Sequence, residues 1–331
     1  MFPGAALDVG GSDGPVWQEA LGTLAFDQAA SPAAIDTPFD LASLTKPIVT
    51  ATVFMRLVAA GAVVLDERVS ACFPEWTGDD RTDATVGDLL EHASGLPPRL
   101  LDMPPGGRRE FEHDICATPL EYAPHTRSLY SDLGFIALGT LLRRLAGRSL
   151  ARAVEAPLCA WGATATAYSP RGPERNAIPA TETDAWRGSV QGGVHDEKAH
   201  LMGGVSGHAG LFGTARDVAL LGEWYLGALY RRRSPLDRDL VCEAVREQAR
   251  EPTRRRGLGW VLRTGDEAAC GSLMSPSTFG HGGFTGTSIW VDPERDLNVV
   301  LLTNAVHHGR SDIRPIRAAV ADAAVAAIER R

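Results

Sequence analysis

The chain has 331 residues, a formal net charge of −8 and 44% hydrophobic residues, which is a composition typical of globular proteins. The acidic balance argues against a nucleic-acid partner, because proteins that bind nucleic acids normally carry a basic surface. The most apolar stretch, residues 41–65, is interrupted by Lys46 and Arg56, so we expect no membrane-spanning segment. The five cysteines are widely spaced and odd in number, which predicts neither a disulfide framework nor a zinc site.

Lysine is unusually rare in this chain. Of the 33 basic residues, only Lys46 and Lys198 are lysines. A GC-rich coding bias accounts for the arginines, but a lysine that persists under such a bias marks a position that arginine cannot fill. A buried lysine can release its proton, whereas arginine stays charged.

The first residues lack a basic segment followed by an apolar core, so the sequence predicts no signal peptide. We therefore expect a cytoplasmic protein with free thiols, or a periplasmic one if the N-terminus was trimmed.

The N-terminal part predicts two strands and one buried helix. Residues 5–9 and 15–26 read as strands around the turn-rich segment 10–14 (GGSDG), and residues 31–38 read as a loop. Residues 43–60 are apolar on nearly every side, which predicts a buried helix with Pro47 in its first turn.

The middle of the chain is mostly helical and its end returns to strands. Helices are predicted at 86–92, 133–145, 217–226 and 312–330, strands at 257–263, 283–291 and 297–303, and a loop-dominated stretch at 162–210. Strands at both ends predict an α/β (α+β) fold, with an antiparallel sheet built from both termini, flanked by helices, and a mostly helical lobe inserted. We expect a sheet domain (1–60 plus 253–331), a helical domain (61–252) and an active site between them.

Ser43 and Lys46 form the first candidate catalytic pair. Positions i and i+3 share a helix face, so the hydroxyl and the amine can meet. Serine needs a base to become a nucleophile, and both burial and the helix N-terminus favour a neutral lysine. On its own this spacing is a weak signal.

The prediction of a catalytic Ser43 and Lys46 pair is strengthened by five segments that follow one another along the chain. They are 39–47 (FDLASLTKP), 89–97 (LLEHASGLP), 130–134 (YSDLG), 203–211 (GGVSGHAGL) and 281–287 (HGGFTGT). Together they resemble the class C-like branch of the serine β-lactamase and penicillin-binding-protein superfamily. That branch includes D-alanyl-D-alanine carboxypeptidases, D-aminopeptidases and β-lactamase-like esterases. The resemblance covers most of the chain and implies a β-lactamase/transpeptidase-like fold.

The resemblance also implies roles for particular residues. Ser43 would attack a carbonyl, Lys46 and Tyr130 would manage its proton, and the backbone N–H groups of Ser43 and Phe284 would form the oxyanion hole. Gly282 and Gly283 would let an edge strand approach the substrate closely, since no side chain intervenes.

Two positions depart from the family pattern. Asp132 replaces the usual asparagine, and an ionised aspartate only accepts hydrogen bonds and favours a protonated Lys46. Ser131 or Asp132 would also serve as the cap of the following helix. His281 stands where many members have lysine, and we expect it to offer a hydrogen bond or partial positive charge to an anionic substrate group.

Rival signals are weaker. The GGSDG segment matches the G-x-S-x-G elbow but lacks the strand–helix context, and the glycines at 203–213 lack a P-loop ending. His195, Asp196, His200 and His208 form the one metal-like group, although His195 and His200 are five residues apart. A looser expectation is that His195 or His208 lines the cleft.

The sequence therefore predicts a serine hydrolase that forms an acyl-enzyme on small amides, D-amino-acid peptides, β-lactams or esters. It needs no metal or organic cofactor, its partner is a small or short-peptide substrate, and its oligomeric state is open. One alternative is a catalytically inactive binding or scaffold protein with the same fold. The departures of Asp132 and His281 from the family pattern are the observations that favour it. The other is a metallohydrolase that uses His195, His200 or His208.

Overall fold

A computed structural model describes residues 2–100, 107–170, 172–251, 254–265, 269–309 and 312–330. The strands are β1 Gly4–Gly11, β2 Gly14–Gly22, β3 Phe39–Asp40, β4 Ala167–Tyr168, β5 Glu182–Asp184, β6 Gly188–Val190, β7 Leu211–Gly213, β8 Ala249–Glu251, β9 Arg254–Arg256, β10 Val261–Leu262, β11 Phe279–Gly282, β12 Ser288–Asp292 and β13 Leu297–Thr303. The α-helices are α1 Thr52–Ala59, α2 Val69–Cys72, α3 Val86–Leu90, α4 Arg108–Ala117, α5 Asp132–Ala146, α6 Leu150–Ala160, α7 Glu197–Leu201, α8 Ala215–Leu229, α9 Arg238–Ala244 and α10 Arg314–Ile328.

Both ends of the chain contribute to one eight-stranded antiparallel sheet. Its strand order is β2-β1-β13-β12-β11-β10-β9-β8, with Leu7 of β1 opposite Leu301 of β13. The GGSDG segment forms the turn between β1 and β2, and the Ser12 hydroxyl there donates to Asp296. The predicted fold class, an antiparallel sheet built from both termini and flanked by helices, is confirmed.

The central strand β13 is buried on both faces because helices cover the sheet from each side. Val300 and Leu302 belong to the large core, and α8 packs against β1 and β13 on that side. Leu297 and Val299 point the other way, toward Val325 of α10. This alternation is the period-two pattern of a strand, here apolar on both faces.

The predicted helix at 43–60 is less regular than expected. It consists of a 3₁₀ turn at Ala42–Leu44, a π-helical segment at Lys46–Ala51 and the α-helix α1. Pro47 explains part of this, since it has no N–H to donate and its ring crowds the carbonyl four residues earlier. The stretch Ala42–Ala59 is long and apolar enough to cross a bilayer by length and composition, but 67% of it is buried in the fold.

Three predicted strand boundaries were wrong. The predicted strand at 283–291 is a turn followed by β12, because Gly286 adopts a φ of +110° there. β10 covers only two residues of the predicted strand at 257–263, and β2 ends at Gly22, which has a φ of +77°. Glycine adopts these left-handed values without steric cost, so both positions favour a turn.

Candidate active site

Ser43 lies in a tight turn that follows β3. The preceding residue, Ala42, adopts a φ of +46°, a left-handed conformation that costs an alanine about 1 kcal/mol. The buried carboxylate of Asp40 holds the turn, because its two oxygens accept from the backbone N–H groups of Ala42 (2.8 Å) and His195 (2.7 Å). The nucleophile candidate is thus placed by a strained, well-anchored backbone.

The structure brings Ser43, Lys46 and Tyr130 together. Lys46 Nζ lies 3.0 Å from Ser43 Oγ, and the Tyr130 hydroxyl donates to the same Oγ at 2.9 Å. The serine oxygen therefore accepts two hydrogen bonds, an arrangement that stabilises negative charge developing on it.

Lys46 is held in its charged form. Burial alone would lower its pKa, but the Asp132 carboxylate at 2.9 Å and the neighbouring Tyr130 outweigh burial and raise the pKa. Its three N–H groups reach Ser43 Oγ, Asp132 Oδ1 and the His208 carbonyl oxygen at 3.2 Å. The expectation that burial leaves this lysine neutral was wrong, because its counter-ion is buried with it, and the raised pKa agrees instead with the expectation that Asp132 favours a protonated Lys46.

Asp132 connects Lys46 to a second set of charged groups, and the sequence did not predict that these groups contact one another at the site. Lys198 Nζ lies 3.1 Å from Asp132 Oδ2 and 3.4 Å from Asp196 Oδ2, and Asp196 Oδ1 accepts from His208 Nε2 at 2.8 Å. Although burial opposes it, Lys46, His208 and Lys198 lower the pKa of Asp132 to about 2. The scarcity of lysine singled out Lys198, but no motif gave it a role.

Tyr130 lies just before α5 and is packed between cations. Its ring centre is 4.8 Å from Lys46 Nζ and 5.3 Å from the Arg256 guanidinium, and the His92 ring lies 4.6 Å away. The expected side-chain cap from Ser131 was wrong, because its hydroxyl donates to the Pro97 carbonyl instead. Asp132 is the first residue of α5, where the positive end of the helix dipole stabilises its negative charge.

His281, at the end of β11, is neutral. Burial, Lys46 and Arg256 lower its pKa to about 3. Its Nδ1 donates to the Gly282 carbonyl at 2.9 Å, so the buried Nε2 carries a lone pair, and Nε2 has no partner among the described residues. The expected partial positive charge at His281 was therefore wrong: among the described residues the charged neighbours that act on it are cations, and the neutral ring can only accept a hydrogen bond at Nε2.

The turn after β11 lies against the serine turn. A Cβ on Gly283 would come within 2.6 Å of the Leu41 carbonyl oxygen and 2.0 Å of Thr287 Oγ1, so only glycine fits there. Arg317 of α10 donates to the Gly283 and Thr287 carbonyls at 2.7 and 2.8 Å and fixes the turn. Phe284 lies in this turn with its side chain half-exposed, and its oxyanion role stays a prediction.

His195 and His208 lie near the site, but their rings are buried. His195 stacks on Phe284 with ring centres 5.4 Å apart and bonds Glu182 at 2.7 Å, while exposed His200 packs against Trp186. In the described part of the chain, one group of metal-ligating side chains is close-set: Asp132, Asp196 and His208, with ligand atoms within 4.8 Å. The ammonium of Lys198 already pairs with both of its carboxylates.

A cavity of about 540 Å³ opens in front of the serine. Ser43, Tyr130, His281, Gly283 and Phe284 are among the residues that line it. Four arginines line it as well: Arg254, Arg263, Arg314 and Arg317. The candidate site therefore combines a polarised serine with a cationic pocket of small-molecule size.

Comparisons with known proteins identify the family of this chain. The family model described as Beta-lactamase matches residues 1–323. A putative D-alanyl-D-alanine carboxypeptidase from Escherichia coli is 32% identical over 83% of this chain and 71% of its own length. An N-acetylmuramyl-L-alanine amidase from Bacillus subtilis is 34% identical over 82% and 68%, respectively.

Among solved structures, a beta-lactamase from Sulfitobacter sp. EE-36 aligns with a TM-score of 0.78 at 20% identity, covering 99% of this chain and 93% of that one. This likeness shows the fold. The family match and the two relatives show that the chain belongs to the beta-lactamase family and is a serine hydrolase.

Proposed function

We propose that this hydrolase cleaves a small amide substrate that carries a carboxylate, of the D-alanyl-D-alanine peptide type, with Ser43 as the nucleophile. The observation that carries the proposal is the double hydrogen bond from Lys46 and Tyr130 to Ser43 Oγ. A scaffold protein needs no polarised serine, and a metallohydrolase needs none either.

The proposed reaction is an acyl transfer in two steps. One proton first leaves the set formed by Ser43, Lys46 and Tyr130. Ser43 Oγ then bonds to the carbonyl carbon, its own proton moves to the Tyr130 oxygen, and Tyr130 passes that proton to the leaving nitrogen as the C–N bond breaks. The amine departs and the acyl group stays on Ser43. Water then adds to the ester, the carboxylic acid leaves, and the serine hydroxyl is restored. Throughout, Lys46 stays positive and stabilises the charge on Ser43 Oγ.

The arginines that line the cavity support a carboxylate on the substrate. Arginine presents a planar fork of donors that matches a carboxylate, and four arginines line the cavity, of which Arg314 also pairs with Asp312 and Arg317 with two backbone carbonyls. The two relatives are named for amide bonds, one in D-alanyl-D-alanine and one in N-acetylmuramyl-L-alanine. Both names support an amide over a simple ester as the substrate.

The nucleophile is tested by labelling. We expect a fluorophosphonate or a fluorescent penicillin to add one adduct to the wild type, located at Ser43 by mass spectrometry and lost in Ser43→Ala. Ser12→Ala is the matched control, because Ser12 lies in the β1–β2 turn outside the site and its loss leaves labelling intact. If neither probe labelled the wild type, the proposed role of Ser43 as the nucleophile would be refuted.

The substrate class is tested with three peptides that end in D-Ala-D-Ala, in L-Ala-L-Ala, and in D-Ala-D-Ala amide. We expect D-alanine release from the first, and at least a tenfold lower rate from the amide, which lacks the carboxylate. Equal rates on the D-Ala-D-Ala peptide and on its amide would refute the proposed requirement for a substrate carboxylate. Turnover of short-chain esters alone would refute the proposal that the substrate is an amide.

A further inference from the structure

The two lysines of this chain meet on one carboxylate. Lys46 Nζ contacts Asp132 Oδ1 at 2.9 Å, and Lys198 Nζ contacts Asp132 Oδ2 at 3.1 Å. The side chains are nearly inaccessible, with exposed fractions of 0% for Lys46, 13% for Lys198 and 18% for Asp132. Ion pairs so shielded from water are screened little by salt and act strongly on their neighbours.

Lys198 is held in this position by a second carboxylate. Asp196 Oδ2 lies 3.4 Å from Lys198 Nζ, while Asp196 Oδ1 accepts from the Ala199 backbone N–H and from His208 Nε2, both at 2.8 Å. Asp196 is thus the N-cap of α7, the helix that carries Lys198. The amine is placed by a helix start as well as by its ion pairs.

Charge balance gives this arrangement a consequence for the reaction. Removing a proton from the set formed by Ser43, Lys46 and Tyr130 is harder beside a negative carboxylate and easier beside a positive amine. Asp132 alone would oppose that loss, whereas an asparagine would not. Lys198 Nζ lies nearer to Asp132 Oδ2 (3.1 Å) than to Asp196 Oδ2 (3.4 Å), so it offsets more of the Asp132 charge than of the Asp196 charge.

We propose that Lys198 is a positioning residue that neutralises Asp132, so that the Ser43, Lys46 and Tyr130 set loses its proton as if a neutral amide occupied position 132. This inference rests on the proposed function, since it concerns the reactivity of Ser43. It also explains why an aspartate is tolerated where the family has asparagine.

Other charged or titratable groups that face the same set are left unsubstituted in every variant of the test. Arg256 of β9 lies over the Tyr130 ring, and His92 and His281 are neutral because burial and nearby cations lower their pKa values. Asp40, bound to the Ala42 N–H, and the Asp196 and His208 pair behind Lys198 also face the set.

The test is the pH dependence of Ser43 labelling by a fluorophosphonate, followed by intact mass. Lys198→Gln removes the positive charge, so we expect the acid-side midpoint to rise by about one pH unit. Asp132→Asn removes the carboxylate beside Lys46 and leaves Lys198 paired with Asp196 alone, so we expect a fall of similar size. The double variant removes both charges and is expected to return to within about 0.3 units of wild type. Lys198→Arg keeps the charge and is the matched control with an unmoved midpoint.

The possible outcomes separate the two proposals. A labelled wild type whose midpoint does not move in Lys198→Gln, even if labelling slows equally at every pH, would assign Lys198 a purely structural role and overturn the inference alone. Shifts of the same sign in the two single variants would also overturn it. An unlabelled wild type would overturn the proposed function and this inference with it. If Lys198→Gln does not fold, Lys198→Met tests the same prediction.

Discussion

The two walls of the candidate site differ in the partners of their ionisable groups. The helical wall consists of Lys46, Asp132, Lys198 and Asp196, in which cations and carboxylates alternate at 2.9 to 3.4 Å. The sheet wall consists of His281, Gly283, Phe284 and Arg317, where backbone carbonyl oxygens accept hydrogen bonds from His281 and Arg317.

The difference shows that burial alone does not decide the charge of a buried group. Lys46 is fully buried and its pKa is raised, whereas the pKa of buried His281 falls to about 3. A carboxylate lies 2.9 Å from the lysine, and cations are the charged neighbours of the histidine. The helical wall therefore supplies charge to the reaction, and the sheet wall supplies shape and neutral hydrogen-bonding groups.

The largest effect is expected on the helical wall. Lys46→Arg keeps the positive charge but cannot place one nitrogen on three acceptors, so we expect kcat/KM to fall about 10⁴-fold. Arg56→Lys on α1, with an exposed arginine, is the control and should leave the rate unchanged. Wild-type rates in a folded Lys46→Arg would show that charge alone suffices, and Lys46→Met serves if the arginine variant does not fold.

The sheet wall is tested through its shape. Gly283→Ala would press a Cβ against the Leu41 carbonyl oxygen and Thr287 Oγ1, so the turn that carries Phe284 must shift. We expect about a 10²-fold loss of kcat/KM, since small displacements near the reacting atoms are costly. Gly193→Ala, where a Cβ meets only ordinary contacts, is the control. An unchanged rate in Gly283→Ala would show that this turn does not serve the reaction.

The neutral histidine of the sheet wall predicts a loss of stability in acid. In the unfolded chain His281 titrates near 6.5, whereas in the folded protein its pKa is about 3, so between these values the unfolded state binds more protons. The free energy of unfolding should therefore fall by about 2 kcal/mol between pH 6.5 and pH 5 on account of this residue. His281→Asn, measured by urea denaturation at both pH values, should lose that part of the slope. An unchanged slope would mean that His281 is charged in the folded protein.

The smallest expected effect is a loss of stability in acid through Asp132, at a lower pH than the loss expected from His281. Its pKa is about 2 in the folded protein and near 3.8 when unfolded, so its stabilising contribution is complete above pH 3.8 and is lost as the pH falls toward 2. We expect the stability advantage of the wild type over Asp132→Asn to shrink by about 1 kcal/mol between pH 4 and pH 3. A constant difference across that range would contradict the ion pairs of the helical wall.

Much of the fold and the centre of the site could be predicted from the sequence. Alternating and continuous apolar patterns locate β1, β13, α5 and α10 within a few residues, because burial on one or both faces dictates those patterns. The proximity of Ser43 and Lys46 follows from helical spacing. Tyr130 lies 87 positions further along, and only the resemblance to a family placed it near them.

The charge states could not be predicted in the same way. Whether Lys46 is neutral or charged depends on a carboxylate 86 residues away, and the role of Lys198 depends on α7 lying against α5. The tautomer of His281 depends on the carbonyl of the next residue, which the backbone of β11 positions. The charge state of a buried group depends on distances in the folded protein, and sequence patterns do not give those distances.

The burial of both lysines has a practical consequence for amine chemistry. Reagents that acylate amines modify surface lysines in most proteins, but here the two ε-amines are 0% and 13% exposed and engaged in ion pairs. A mild activated ester should therefore leave both lysines of the folded chain unmodified. Reaction at either lysine would report that the interior has opened, which makes this ordinary coupling reagent a conformational probe for the molecule.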